Sequence, residues 1–91
     1  MELEKNQLKL LEVRMEYLLF TGSNCPACKN LKAWLESKAI KHQIIDVDQE
    51  TTKAFQYKVR SLPTVIKQGS NGEVGRMTGF QVQESTKFFG V

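Results

Sequence analysis

The chain has 91 residues, 41% of them hydrophobic and 25% charged, with 13 Lys and Arg against 10 Asp and Glu for a net charge of +3. One small soluble domain fits that length and balance, and an intrinsically disordered chain or a membrane protein does not. The basic surplus is spread along the chain instead of gathered into a block, which argues for mild attraction of acidic partners and against a nucleic-acid-binding protein.

Met1 to Arg14 carry alternating charges and no unbroken apolar stretch, so they match neither a secretory signal nor a transmembrane span, and the expected location is the cytoplasm. Their helix formers predict a helix, with a short edge strand near Leu10 to Val13 as its rival. Residues 1–14 therefore read as an N-terminal extension and residues 15–91 as the domain. Glu16 to Gly22 is an apolar run with aromatic members and a Gly stop, and predicts a buried strand. Gly22-Ser23-Asn24 is a loop leading to Cys25. From Pro26 onward Ala27, Leu31, Trp34, Leu35 and Ala39 recur at helical spacing, and Pro suits the first helical position because no N–H is needed there. His42 to Asp48 predicts a second strand with a β-branched centre and an acidic end. Glu50 to Val59 predicts a helix, started by Thr51 or Thr52. Leu62 to Lys67 predicts a strand with Pro63 at its start, where the missing N–H is tolerated. Gly69-Ser70-Asn71-Gly72 accepts positive φ, so Glu73 to Gly79 completes a hairpin. Gln81 to Phe89 predicts a last helix, with Val82, Phe88 and Phe89 available to pack on the sheet. Two parallel strands with a crossover helix, then an antiparallel hairpin, give an α/β domain with a four-stranded mixed sheet flanked by helices. Trp34, Phe55 and Tyr57 are read as core or core-edge residues.

The only two cysteines, Cys25 and Cys28, stand between the first strand and the first helix. A helix N-terminus stabilises a thiolate through its free N–H groups and partial positive charge, so the placement points to a redox dithiol. In a reducing compartment two close cysteines are catalytic or metal-binding sooner than a structural staple. Metal binding is the rival, but two cysteines are half of a tetrahedral zinc set, and His42 does not complete it without a second chain. The bland reading is a pair of inert core thiols. Lys29 and Lys32 read as solvated residues on an exposed helix face.

Taken in order, Cys25-Pro26-Ala27-Cys28 at a strand-helix junction, Ser61-Leu62-Pro63-Thr64-Val65, and Gly79-Phe80 after the last strand resemble the thioredoxin superfamily. The similarity runs from Tyr17 to about Phe89 and is more narrowly to the glutaredoxin-sized members, with Gly79-Phe80 resembling the turn of the glutaredoxin-like redoxins that serve ribonucleotide reductase. It implies the thioredoxin fold and a dithiol-disulfide oxidoreductase that reduces protein disulfides. Cys25 is then the attacking thiol, exposed at the N-cap with its sulfur near the N–H groups of Ala27 and Cys28, and Cys28, more buried, resolves the mixed disulfide. Pro26 fixes the first turn. Leu62 and a cis Pro63 offer backbone to an extended substrate segment, and Gly79 and Phe80 face it from the other side. The resemblance implies no bound cofactor or metal, since the cysteines carry the two electrons. The implied partners are a disulfide-containing protein and a thioredoxin-reductase-like electron donor, with glutathione as the alternative donor, and the implied state is a monomer. Leu19 and Asn24 stand where thioredoxins usually carry a buried acid and a Trp. Ala27 and Phe80-Gln81 stand where typical glutaredoxins carry Tyr and an acidic or hydroxyl pair. The alternatives are a glutathione-dependent glutaredoxin and a non-catalytic domain that keeps the fold and uses its cysteines structurally or with a shared metal.

Overall fold

Successive strand side chains point to opposite faces, so Tyr17 and Leu19 of β1 (Glu16–Thr21) enter one core while Leu18 and Phe20 enter another. The computed structural model describes residues 15–91, and the helix expected over residues 1–14 lies outside them. After β1 come α1 (Pro26–Ser37), β2 (Gln43–Asp46), α2 (Thr51–Gln56), β3 (Thr64–Gly69), β4 (Gly72–Thr78) and α3 (Val82–Phe89). They form one four-stranded sheet in the order β2-β1-β3-β4. β1 runs parallel to β2 and antiparallel to β3, which pairs antiparallel with β4. This is the mixed sheet that the order of apolar runs predicts.

On one face Leu19, Val65 and Met77 of the sheet pack with Leu31 and Leu35 of α1 and Phe89 of α3. On the other, Leu18, Phe20, Ile45 and Ile66 are covered by Val47, Ala54, Tyr57, Val59 and Leu62. Each fully buried Leu, Ile or Phe contributes about 1.5–3 kcal/mol over leaving it in water. Trp34 and Tyr57 pack as expected. Phe55 does not: it is 83% exposed. Helix α2 is short and directs Ala54 at the sheet, which turns the next residue outward. Val82 is likewise 53% exposed, because it opens α3 ahead of the buried Ser85 and Phe89.

Three elements end earlier than the sequence pattern suggests, each for a local reason. β2 stops at Asp46 because the Asp46 carboxylate accepts the Asp48 N–H at 2.8 Å and its carbonyl accepts from Gln49 and Glu50 at 3.1 and 2.8 Å. An Asp side chain that mimics a turn competes with the strand ladder. Helix α1 closes before Ala39, which takes φ +55° while its N–H bonds the Glu36 carbonyl and the Ile40 N–H bonds that of Leu35. Helix α2 closes the same way on Lys58 at φ +56°, with the Val59 N–H on the Ala54 carbonyl. Both are Schellman closures with a non-Gly residue at the left-handed position, and the residue that follows, Ile40 or Val59, packs against the core on its own face of the sheet.

Arg76 of β4 locks α2 to the sheet. Its guanidinium donates to the carbonyls of Tyr57 and Lys58 at 2.8 and 3.4 Å and pairs with Glu73 at 2.6 Å. The Arg76 hydrogen bond holds the Glu73 carboxyl below its ordinary value of 4.5.

Candidate active site

Strand register gathers the site. Phe20 lies opposite Thr64, Thr64 opposite Thr78, and Thr21 beside Asp46. The segments after β1, β2 and β4 and the one before β3 therefore leave from the same end of the sheet. Those segments carry Cys25, Asp48, Gly79 and Pro63.

The chain turns from β1 into α1 through Asn24, whose φ of +57° is one that a short polar side chain tolerates. Cys25 is the N-cap of α1, with extended backbone, and Pro26 occupies the first turn. The Cys25 Sγ accepts the Cys28 N–H at 3.2 Å, so the sulfur takes the capping role a Ser or Asp oxygen usually fills. Cys25 and Cys28 are joined in a disulfide, with Cα atoms 5.2 Å apart. Cys28 is 3% exposed in the apolar core, whereas Cys25 is half-buried, less open than expected of an exposed cap.

The Leu62–Pro63 bond is cis, and Pro63 is fully buried. Thr64 Oγ1 donates to the Ser61 carbonyl at 2.7 Å, and the Gly79 N–H donates to the Pro63 carbonyl at 2.8 Å. The proline loop and the glycine turn are thus tied together, and among the described residues no hydrogen bond engages the backbone of Leu62. Gly79 takes φ +76°, a conformation that favours glycine, with nothing within 4 Å of where a Cβ would stand. Phe80 is half-buried and packs on Trp34, their ring centroids 6.1 Å apart, so the glycine turn leans on the helix that carries the cysteines. Pro26, Lys29 and Lys32 are exposed. His42 is remote, at the start of β2, with Nδ1 2.8 Å from the Ile40 carbonyl oxygen. Among the described residues no group of three His, Cys, Asp or Glu side chains is placed to hold a metal ion.

Two contacts were not visible in the sequence motifs. Ser23 donates from both its N–H and its Oγ to Asp48 Oδ2, at 3.3 and 3.0 Å. A Cβ on Gly22 would stand 2.8 Å from Leu62 Cδ1 and 3.4 Å from Val47 Cγ2, so the dithiol loop passes close to the proline loop, and a side chain at position 22 would make the Leu62 side chain move. The available signal was the acidic end of the second strand, which parallel pairing with β1 sets beside the loop.

The glutaredoxin family model matches residues 17–70 of this chain, a span that holds the dithiol and the cis proline. The chain belongs to the glutaredoxin family. With its paired cysteines it is a dithiol-disulfide oxidoreductase of the thioredoxin fold. Among solved structures this glutaredoxin-family protein is similar to the thioredoxin of Fasciola hepatica, at 25% identity and a TM-score of 0.79 over 97% of this chain and 88% of that one. Thioredoxin f from spinach chloroplast matches at 23% identity and a TM-score of 0.76, over 85% of this chain and 74% of that one. Thioredoxin NaTrxh from Nicotiana alata matches at 21% identity and a TM-score of 0.76, over 94% and 83%. No curated protein sequence matches the chain.

Proposed function

We propose that the protein reduces disulfides in other proteins through a two-step relay. The Cys25 thiolate attacks one sulfur of the substrate disulfide. That S–S bond breaks, a Cys25–substrate mixed disulfide forms, and the departing substrate thiolate takes up a proton. Cys28 then gives up its proton and attacks the Cys25 sulfur, releasing the second substrate thiolate and leaving the Cys25–Cys28 disulfide. Two electrons have passed to the substrate. The observation that carries this division of labour is the asymmetry of the pair: Cys25 caps the helix and is partly open, while Cys28 is enclosed one turn further in. The backbone of Leu62, which makes no hydrogen bond among the described residues, is the feature that suits an extended substrate segment. Cytoplasmic thiol pools would keep such a site reduced and set it working as a reductant.

The electron donor is the finer part of the proposal. Ala27 and Gln81, which replace residues typical of glutathione-binding glutaredoxins, and the Gly79-Phe80 turn favour a thioredoxin-reductase-like donor, whereas the glutaredoxin family match favours glutathione as a second reading. Insulin reduction coupled either to thioredoxin reductase or to glutathione with glutathione reductase separates them. Turnover should follow the thioredoxin reductase arm and disappear in Cys25→Ser. Turnover with glutathione alone would replace the first donor with the second, and activity retained in Cys25→Ser would refute the relay.

A further inference from the structure

We propose that Asp48 is a positioning residue for the dithiol, holding Cys25 in its N-cap geometry by way of Ser23; this rests on Cys25 being the attacking thiol. Asp48 Oδ2 receives two hydrogen bonds from Ser23, one from the backbone at 3.3 Å and one from the hydroxyl at 3.0 Å, across 25 residues of sequence. The carboxylate is itself anchored. The Asp48 backbone N–H donates to Asp46 Oδ1 at 2.8 Å, and the neighbouring Val47 N–H donates to the Thr21 carbonyl of β1 at 2.8 Å. The turn that presents Asp48 is therefore built on the same strand from which the dithiol loop departs.

Between Thr21 and Cys25 the loop has little else to hold it. Gly22 offers no side chain, Asn24 is exposed in the left-handed region, and among the described residues the two Ser23–Asp48 bonds are the only hydrogen bonds involving a side chain that reach residues 22–24. Cys25 follows directly, and its sulfur keeps the stabilising Cys28 N–H only while the loop delivers it to 3.2 Å. Releasing the loop costs the thiolate that donor. The carboxylate also exerts an opposite effect, because a nearby negative charge disfavours a thiolate. The charged groups on the elements around Cys25 are Lys29, Lys32 and Glu36 of α1, Asp46 at the end of β2, Asp48 and Glu50 of the β2–α2 turn, and Arg60 ahead of Leu62. Asp48 is solvent-exposed, which weakens its charge effect on the sulfur, whereas release of the loop removes a direct hydrogen bond, so positioning outweighs charge.

The test is the pH profile of iodoacetamide alkylation of the reduced protein, with peptide mapping of the labelled cysteine. In Asp48→Ala, Cys25 should react about threefold more slowly at pH 6 and reach half-maximal rate at higher pH, since part of the lost thiolate is offset by greater nucleophilicity. Asp48→Asn keeps an acceptor oxygen and should recover most of the rate. Ser23→Ala should lie between, because its backbone N–H remains, and combining it with Asp48→Ala should slow the reaction no further. Alkylation at the unaltered rate in Asp48→Ala, even with a lowered melting temperature, would reduce Asp48 to a structural role and overturn the proposal. Faster alkylation would overturn it too, by showing that charge dominates. Label appearing on Cys28 before Cys25 would instead overturn the assignment of the attacking thiol, and the proposal with it.

Discussion

At the scale of single residues, the chemistry rests on atoms that the chain places by backbone conformation. Gly79 is the clearest case, because its N–H reaches the Pro63 carbonyl at 2.8 Å only from a backbone at φ +76°. An added Cβ would meet no neighbour, so the cost of Gly79→Ala is purely conformational, about 1–2 kcal/mol. Thermal unfolding should show it as a fall of roughly 4–16 °C for a domain of this size. An unchanged melting temperature would mean that the turn relaxes without loss. Residue roles were unevenly legible. Cys25, Cys28, Pro63 and Gly79 stand out by type and order, whereas Ser23 and Asp48 are ordinary surface residues until the β1–β2 register brings them together. Phe55 misled for the reason short helices often do: an apolar residue next to Ala54 cannot share its face.

At the scale of elements, strand and helix identities were readable because each run keeps one periodicity, and their ends were not, because side-chain caps decide them. Asp46 ended β2, and Ala39 and Lys58 closed α1 and α2, without the Gly that announces such a turn. The contact of Arg76 with the end of α2 was equally hidden, since it joins residues 18 and 19 positions apart. Arg76→Ala should lower the urea midpoint at neutral pH. Because the Glu73–Arg76 pair is solvent-accessible, its share stays below about 1 kcal/mol. Its pH dependence has a definite sign. The Glu73 carboxyl titrates below its ordinary 4.5 in the folded protein, so the pair stabilises fully above that value and the benefit is lost as the pH falls through the folded value. The gap between wild type and Arg76→Ala should narrow from pH 7 to pH 3, leaving the part due to the carbonyl bonds. A gap that stays constant or widens in acid would contradict a stabilising ion pair.

For the whole molecule, two thin cores on either face of one sheet leave little reserve. A domain of 91 residues carries about 5–10 kcal/mol of net stability. Leu31→Ala removes a fully buried side chain from beneath the dithiol helix, and such truncations cost about 2–5 kcal/mol. Trp34, the single tryptophan, lies 5.9 Å from Phe89 in the same core, so its fluorescence reports this loss during urea unfolding. A midpoint unchanged from wild type would show that the α1 face does not limit stability. The architecture itself was legible because the alternation in β1, the parallel crossover and the hairpin admit few arrangements. What the sequence motifs left open is how the loops at one end of the sheet are tied to one another.

The central claim is the division of roles within the cysteine pair, and trapping measures it most directly. Cys28→Ser protein, incubated with a disulfide substrate and digested without reductant, should yield a mixed disulfide that mass spectrometry maps to Cys25. An adduct that instead accumulates on Cys28 in the Cys25→Ser protein, with none on Cys25 in Cys28→Ser, would contradict the account.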